Sequence, residues 1–266
     1  MTTYPDDFEH MLKMADSSWH STLREGLEAV EKHSPNYLAE LLSSEFLPSR
    51  ANLFAAFLQP VQCVRYVLVG EGPYPRADSA NGYCFMDAAV ESLWVRGAKS
   101  GLSKQVNRAT SLRNFMKMLL VAERHIRLPD LNSTSIAKFV QAMDVDSAPY
   151  VQTMADLQTN FLQRGFLLLN ASLVFRSDVA PAKDAKAWSP FLERVFARLA
   201  TESLGAEAVK VILWGKIADR LLALDCFDEP SRLIIVRAEH PYNLSFISNT
   251  EMHALFEPLQ LLSSRS

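Results

Sequence analysis

The chain has 266 residues, of which 48% are hydrophobic, and it carries a formal net charge of −3. This length suits one large α/β domain or two small ones, and the hydrophobic fraction is ample for a buried core. The negative charge argues against a protein that coats nucleic acid, because the phosphate backbone rewards positive charge. It does not exclude an enzyme that acts on DNA through one basic face.

Other broad classes are excluded by cysteine usage and by the lack of long apolar runs. Cys63, Cys84 and Cys226 are too few and too scattered for a disulfide framework, and they cannot supply the four thiolates of an iron–sulfur cluster. No apolar run approaches the roughly 20 residues of a membrane-spanning helix, and the amino terminus does not resemble a secretory signal. We therefore expect a cytoplasmic protein with no membrane contact.

The chain contains no Pro-, Ser- or Gly-rich linker and no repeat, so a single domain over residues 1–266 is predicted. Residues 1–50 form a helical part of that domain. Apolar residues at helical spacing between Phe8 and Glu45 predict two amphipathic helices, with a break at Ser34-Pro35. An apolar run from Tyr66 to Val69 then predicts a buried strand.

This strand ends in Gly70-Glu-Gly-Pro-Tyr-Pro75, and the chain continues into Asn81-Gly-Tyr-Cys-Phe85. A buried strand that runs into a loop bent by glycine and proline, with an acid on that loop, is typical of a ligand site at the carboxyl edge of an open α/β sheet. The loop therefore predicts a pocket.

A basic segment follows between Leu93 and Ala122, where no acidic residue occurs. Its lysines and arginines form either a DNA-facing patch or an ordinary solvated surface. A helical pattern begins at Ser111, and a helix amino terminus with a hydroxyl is a good seat for a phosphate. The basic residues are Arg96, Lys99, Lys104, Arg108, Arg113 and Lys117.

Strands and helices alternate along the second half of the chain. The alternation predicts a three-layer α/β/α fold around a central parallel sheet of four strands. The predicted strands are Phe166 to Leu169, Val209 to Leu213 and Leu233 to Val236, and the predicted helices are Ser111 to Ile126, Asp156 to Arg164, Trp188 to Ser203, Lys216 to Leu224 and Met252 to Leu262.

Four motifs in this order resemble the uracil-DNA glycosylase superfamily, most closely its first family. Gly70 to Pro75 is similar to the family's Gly-Gln-Asp-Pro-Tyr-His, and Asn81 to Phe85 to its His-Gly-Leu-Cys-Phe. Leu168 to Ala171 is similar to its Leu-Leu-Asn-Ala, and His240 to Ser245 to its His-Pro-Ser-Pro-Leu-Ser. The resemblance runs from about Trp19 to about Leu261.

The resemblance implies an enzyme that flips a uracil-like or modified pyrimidine out of DNA and hydrolyses its N-glycosidic bond, leaving an abasic site. It implies no metal and no organic cofactor. His240 would stabilise the departing base, and the Asn170 carboxamide would read the edge of that base. Phe85 would stack on the base, and Tyr74 would wall off the carbon that bears the methyl group in thymine.

The resemblance also implies a set of DNA contacts. Leu244 lies where the family places the apolar wedge that fills the hole left by the extruded base, and Ser245 belongs to the same loop. Ser111 matches a serine that grips a DNA phosphate. Arg108 and Arg113 of the basic segment are predicted to contact phosphates as well.

One departure bears on activity: Gly72 stands where the family carries its water-positioning aspartate. Such carboxylates contribute about 10²–10⁴ in rate. Glu71 is one replacement, as in branches of the superfamily with Gly-Glu-Ala/Gly/Gln-Pro-Gly here, and glycine's backbone freedom would let Glu71 re-aim. Alternatively, a dissociative reaction tolerates a poor base, or the chain is a silent DNA-binding or partner-binding homologue.

Gly72 also belongs to the predicted base pocket, where the loss of side-chain volume could admit a larger base. A second enzymatic alternative is therefore a glycosylase for hypermodified pyrimidines of phage DNA, with a role in defence. We expect a monomer. The sequence does not select the excised base, the strand preference or the choice between repair and defence.

Overall fold

The computed structural model describes residues 3–143, 150–201, 208–224 and 232–263, so Ser203 and Cys226 lie outside the described part. The chain divides into two compact units. The first, which we call the sheet unit, comprises Met1–Asp87 and Gly165–Arg237, and the second, the helical unit, comprises Ala88–Arg164 and Ala238–Ser266. The single domain expected from the sequence stays a prediction.

A four-stranded sheet forms the centre of the fold. Its strands lie in the order β4 (Phe166–Asn170), β1 (Tyr66–Gly70), β5 (Val209–Trp214) and β6 (Leu233–Ala238). β1 pairs in parallel with β4 and with β5, which places Val67 opposite Leu167 and Val211. These three strands are apolar and buried, as expected for a parallel sheet covered on both faces. The predicted α/β fold with a central parallel sheet is confirmed.

Helices of the sheet unit pack through an aromatic core. Gly26 lets α2 (His20–His33) approach α8 (Pro181–Leu199) closely, because a Cβ at this position would lie 2.5 Å from the Phe191 ring. Phe191 in turn contacts Phe54, Phe57 and Trp188 at ring-centroid distances of 5.2 to 6.1 Å. The helices are α1 (Asp7–Leu12), α2 (His20–His33), α3 (Tyr37–Leu42), α8 (Pro181–Leu199) and α9 (Ile217–Leu221).

Two sequence-based boundaries in this unit are wrong. The segment between Phe8 and Glu45 holds three helices rather than two, although the break after Ser34 is where it was predicted, and Asn36 there is left-handed. α8 begins at Pro181 instead of Trp188. Proline fits the first turn of a helix, where its missing N–H has no intrahelical partner, so it begins this helix seven residues early.

Within its described residues the helical unit contains a short hairpin and five α-helices. The hairpin and α6 were not anticipated, because two-residue strands show no alternation and the first turn of α6 is a polar Ser-Thr-Ser run. Phe115, Phe161 and Phe256 form its aromatic core. Its elements are β2 (Trp94–Val95), β3 (Gly101–Leu102), α4 (Lys104–Arg108), α5 (Thr110–Ala122), α6 (Ser133–Ala142), α7 (Met154–Gln163) and α10 (Thr250–Phe256).

α5 ends earlier than the sequence pattern predicts. Arg124 is left-handed with φ 62°, which ends the helix before Ile126. Across the described ranges, no helix is long and apolar enough to cross a membrane.

Candidate active site

The sheet unit packs two strand ends and one loop around Gly70, the last residue of β1. Gly70 pairs with Asn170 at the end of β4. A Cβ on Gly70 would lie 2.8 Å from the Asn170 Oδ1 and 2.9 Å from the Cys84 Cβ, closer than real Cβ contacts allow. Cys84 is fixed to the sheet, because its amide donates to the Leu168 carbonyl at 3.1 Å and its thiol to the Leu68 carbonyl at 3.1 Å. Only glycine fits at position 70.

Asn170 holds a polar group that lacks a partner. The residue is 4% exposed, and its Oδ1 is buried without a hydrogen bond from any described residue. An unsatisfied buried acceptor costs about 1–3 kcal/mol, so it is expected where a ligand donor completes the pairing. The carboxamide offers both an acceptor and a donor, as the edge of a pyrimidine requires.

Two aromatic residues, Tyr74 and Phe85, lie on the chain segment that follows β1, and Phe85 comes directly after Cys84. Phe85 is left-handed with φ 64°, which is unusual for a bulky residue and points to a functional constraint. Its ring meets Trp214 edge to face at 5.3 Å, and the Tyr74 hydroxyl donates to the Phe85 carbonyl at 3.3 Å. Burial, reinforced by Asp87 and Cys84, raises the pKa of Tyr74 well above its usual value, so the hydroxyl stays neutral.

Glu71 and Gly72 are both exposed on the loop after β1. The Glu71 carbonyl accepts the Ser172 amide at 3.1 Å, whereas no residue in the described part donates to the Glu71 carboxylate. Gly72 is not left-handed in this structure, and the re-aiming of Glu71 through glycine's backbone freedom stays a prediction. A Cβ at 72 would meet only Ser172, at 3.7 and 3.8 Å, so the backbone does not require glycine here.

A buried ion pair anchors the loop that follows Asn170. Arg176 donates to Asp184 through Nη2 at 2.5 Å and Nε at 3.2 Å, and the two side chains are 7% and 1% exposed. The Tyr37 hydroxyl donates to the same carboxylate at 2.8 Å. The hydrogen bond to Asp184 raises the pKa of Arg176. Sequence reasoning missed this trio, because no local pattern connects Asp184 with Tyr37, which is 147 positions away.

The loop around His240 belongs to the helical unit. The Tyr242 amide donates to the His240 Nδ1 at 3.1 Å. A ring nitrogen that accepts a hydrogen bond carries no proton, so the neutral imidazole holds its proton on Nε2. His240 itself is exposed on this loop.

Asn114 ties this loop to α5. Its side chain is fully buried, and Nδ2 donates to the Pro241 carbonyl at 2.8 Å and to the Tyr242 carbonyl at 3.3 Å. The sequence did not single out Asn114, since one polar residue on an apolar helix face gives no signal of a contact 127 residues away. Trp214 was missed likewise; an aromatic residue at a strand end before Gly215 was the available signal.

Leu244 and Tyr242 project from the same loop, with 71% and 68% of their surface exposed. An exposed leucine at the start of a tight turn is consistent with an apolar wedge. The neighbouring Ser245 is exposed too. Burial would raise the pKa of Glu239, but hydrogen bonds from Ser245, Asn249 and the backbone hold that pKa below its usual value. The Ser245 hydroxyl is thus held within the loop.

The remaining predicted DNA contacts lie on α4 and α5. Ser111 is half-buried in the first turn of the 13-residue α5, which no side chain caps. Arg108 is exposed at the end of α4, and Arg113 donates to the Asn107 carbonyl at 2.9 Å.

The predicted residues therefore form two groups. The sheet unit brings together Glu71, Gly72, Tyr74, Phe85 and Asn170, and the helical unit holds Arg108, Ser111, Arg113, His240, Leu244 and Ser245. Convergence of the groups on one cleft stays a prediction. In the described part of the chain, no cluster of three or more His, Cys, Asp or Glu side chains could hold a metal ion.

Known proteins resemble this chain over nearly its full length. The UNG crystal structure from Nitratifractor salsuginis is 35% identical, with a TM-score of 0.83 over 97% of both chains. A uracil-DNA glycosylase from Pseudomonas aeruginosa is 26% identical over 237 residues, 86% of this chain and 81% of its own. Another from Mycobacterium leprae is 24% identical over 236 residues, 88% of this chain and 83% of its own.

A more distant likeness concerns the fold alone. The mimivirus uracil-DNA glycosylase is 16% identical, with a TM-score of 0.53 over 90% of this chain and 73% of its own. No family model matches the chain. With the full-length match at 35% identity, the four motifs in order and the parallel sheet, the chain belongs to the uracil-DNA glycosylase superfamily.

Proposed function

We propose that the protein is a base-excision DNA glycosylase, which flips a uracil-like or modified pyrimidine out of DNA and hydrolyses its N-glycosidic bond to leave an abasic site. The observation that carries the proposal is the buried Oδ1 of Asn170, which has no hydrogen-bond partner among the described residues, in a chain of this superfamily. A buried carboxamide with an open acceptor suits a planar ring with a hydrogen-bonding edge.

Recognition follows from the groups around Asn170. A pyrimidine edge in this pocket would donate to the Oδ1 and accept from the Nδ2 of the carboxamide. Phe85, held by Trp214, offers a face for stacking. Tyr74 stays neutral because its pKa is raised, so the wall next to the base carries no charge that would repel a developing anion.

Departure of the base is assisted by His240. Negative charge develops on the base as the glycosidic bond stretches, and a fixed donor beside it is typically worth about 10²–10³ in rate. The Tyr242 amide at Nδ1 keeps the proton on Nε2, the tautomer that this role requires.

Delivery of water to the sugar falls to Glu71. It is the only acid between Gly70 and Pro75, it is exposed, and its carboxylate receives no hydrogen bond from the described residues. A carboxylate without other duties can accept a hydrogen bond from water and orient its attack.

DNA is held open and in register by the helical unit. Leu244 supplies the wedge, Ser245 of the same loop contacts the DNA, and Ser111, Arg108 and Arg113 contact phosphates. The protein acts as a monomer in the cytoplasm and needs no metal or organic cofactor.

Abasic-site formation tests this function. Oligonucleotides carrying uracil, hypoxanthine or a modified pyrimidine are incubated with the protein and with Asn170→Asp, and alkaline cleavage is scored. We expect cleavage on at least one base and a large loss with the variant, because a carboxylate cannot donate to the base edge. Asn160→Asp, which alters a buried amide of the helical unit, is the matched control. Binding without cleavage of any base would identify a silent homologue instead.

A further inference from the structure

A second polar pocket lies wholly within the helical unit, where the β2–β3 hairpin meets α5 and the start of α6. Its volume is about 260 Å³. None of the described residues that line it is acidic, and two are lysines. The lining residues are Lys99, Ser100, Gly101, Leu102, Asn107, Lys117, Ser133 and Ile136.

Lys117 is the most informative of these residues. It is half-buried on α5, and no carboxylate of the described residues forms an ion pair with it. Burial, together with the nearby positive charge of Arg113, lowers its pKa. An ammonium group that is partly desolvated without a counter-charge is unfavourable, and an anion from outside would offset this.

The other walls suit an anion in charge and in space. Lys99 adds a second positive charge on the hairpin. Ser133 is the first residue of the ten-residue α6, whose first turn holds no acid, so the positive end of that helix lies at the pocket. A Cβ at Gly101 would meet nothing within 4 Å, which leaves open space above the hairpin backbone.

We propose that this pocket binds a phosphate group through Lys117, Lys99 and the Ser133 hydroxyl. The two apolar residues of the lining, Leu102 and Ile136, are buried. The phosphate has one of two sources. If it is part of a DNA backbone, the assignment rests on the proposed function. If it is a free phosphate or part of a nucleotide, the assignment is independent of that function. None of the DNA contacts assigned above lines this pocket.

The first experiment measures the binding of inorganic pyrophosphate to the full chain by titration calorimetry at constant ionic strength. The variants are Lys117→Gln and the matched control Lys138→Gln, which removes the same charge from an exposed site on α6 outside the pocket. We expect binding by the parent, a rise of at least about tenfold in Kd for Lys117→Gln, and a change below about twofold for the control.

A second variant guards against misfolding. Ser133→Asp places a carboxylate in the first turn of α6, where it stabilises the helix but repels an anion in the pocket. We expect an unchanged or higher melting temperature together with loss of pyrophosphate binding. A stable Ser133→Asp protein that binds pyrophosphate as the parent does would overturn the proposal.

The second arm measures the salt dependence of binding to a double-stranded oligonucleotide. If the phosphate is part of DNA, Lys117→Gln reduces the slope of log K against log salt by about 1, and Lys138→Gln does not. If pyrophosphate binding is lost while the slope is unchanged, the pocket takes a free phosphate. No pyrophosphate binding by the parent and equal slopes for both variants would refute the pocket. Base excision is measured in parallel. A parent protein that binds pyrophosphate but excises no base would contradict the proposed glycosylase activity and leave the phosphate pocket supported.

Discussion

The loops around Asn170 and the loop around His240 are built in opposite ways. Asn170 is 4% exposed and lies against Gly70 and Cys84 with no room for an added Cβ, whereas Leu244 is 71% exposed on a loop tied down by the Asn114 amide. A rigid, dehydrated pocket selects a base by shape and hydrogen bonds. A projecting loop suits a part that must enter another molecule. Recognition and strand opening thus place different demands on the same chain.

The largest expected effect lies at Glu71, an exposed acid on the loop after β1. Glu71→Gln should lower excision by about 10²–10⁴ and leave DNA affinity nearly unchanged, because it removes the water-orienting charge only. Glu40→Gln, an exposed change on α3, is the control. The measurement is single-turnover abasic-site formation together with DNA binding.

Gly72→Asp sharpens this test, because the position has room for a side chain and ordinary backbone angles. Equal activity of Glu71→Gln and the parent on every productive base would make Glu71 structural. A parent that is inert on all bases, with uracil excision gained by Gly72→Asp, would mark the natural protein as a silent binder.

The buried pair of Arg176 and Asp184 is the next test, because it lies in the same unit as Asn170. Asp184→Asn leaves Arg176 with a weaker partner and should lower the free energy of unfolding by about 3–5 kcal/mol in urea denaturation. Asp219→Asn breaks an exposed pair with Arg237 in the same unit and should cost less than about 1 kcal/mol. Similar losses in the free energy of unfolding for Asp184→Asn and Asp219→Asn would mean that the buried pair of Arg176 and Asp184 does not stabilise the loop after Asn170.

The rigidity of the pocket predicts a contrast between two glycines. Gly70→Ala forces a Cβ against Asn170 and Cys84 and should destabilise by about 1–3 kcal/mol, with lower excision. Gly72→Ala meets only ordinary contacts and should stay within about 0.5 kcal/mol of the parent. Equal denaturation midpoints for the two variants would show that the strand ends are less tightly packed than described.

The loop of the helical unit provides the smallest effect. Asn114→Ala removes the donor to the Pro241 and Tyr242 carbonyls and should lower kcat about tenfold with little change in KM, as expected of a positioning residue. Amides near Tyr242 should exchange faster with deuterium. Asn160→Ala removes a comparable buried amide that donates to the Leu261 and Ser263 carbonyls, and it should leave kcat unchanged. Equal losses of kcat in Asn114→Ala and Asn160→Ala would mean that Asn114 contributes only to the general stability of the unit.

Local sequence patterns predicted the parts of the fold that local physics determines. The apolar strand from Tyr66, the bend at Gly70 and the helix break after Ser34 all follow from residues within a few positions. Short strands carry too few residues for a pattern, so the β2–β3 hairpin was missed.

Contacts between distant residues stayed hidden for a different reason. Tyr37 and Asp184 are 147 positions apart, and Asn114 is 127 positions from Pro241. A hydrogen bond over such a separation exists only once the fold has formed. The site residues named from motifs were nevertheless placed in two compact groups, because motifs mark strand ends and turns, where a fold positions side chains.

The left-handed backbone at Phe85 has an evolutionary consequence. Glycine, and to a lesser degree asparagine, would adopt φ 64° with less strain, so stability alone favours replacing this phenylalanine. If the Phe85 ring stacks on the base as proposed, selection for that ring acts against mutations that would relieve the backbone strain. In lineages that no longer need base recognition, position 85 should be among the first to drift to glycine or asparagine. Retention of an aromatic residue there would mark the lineages in which the pocket is still in use.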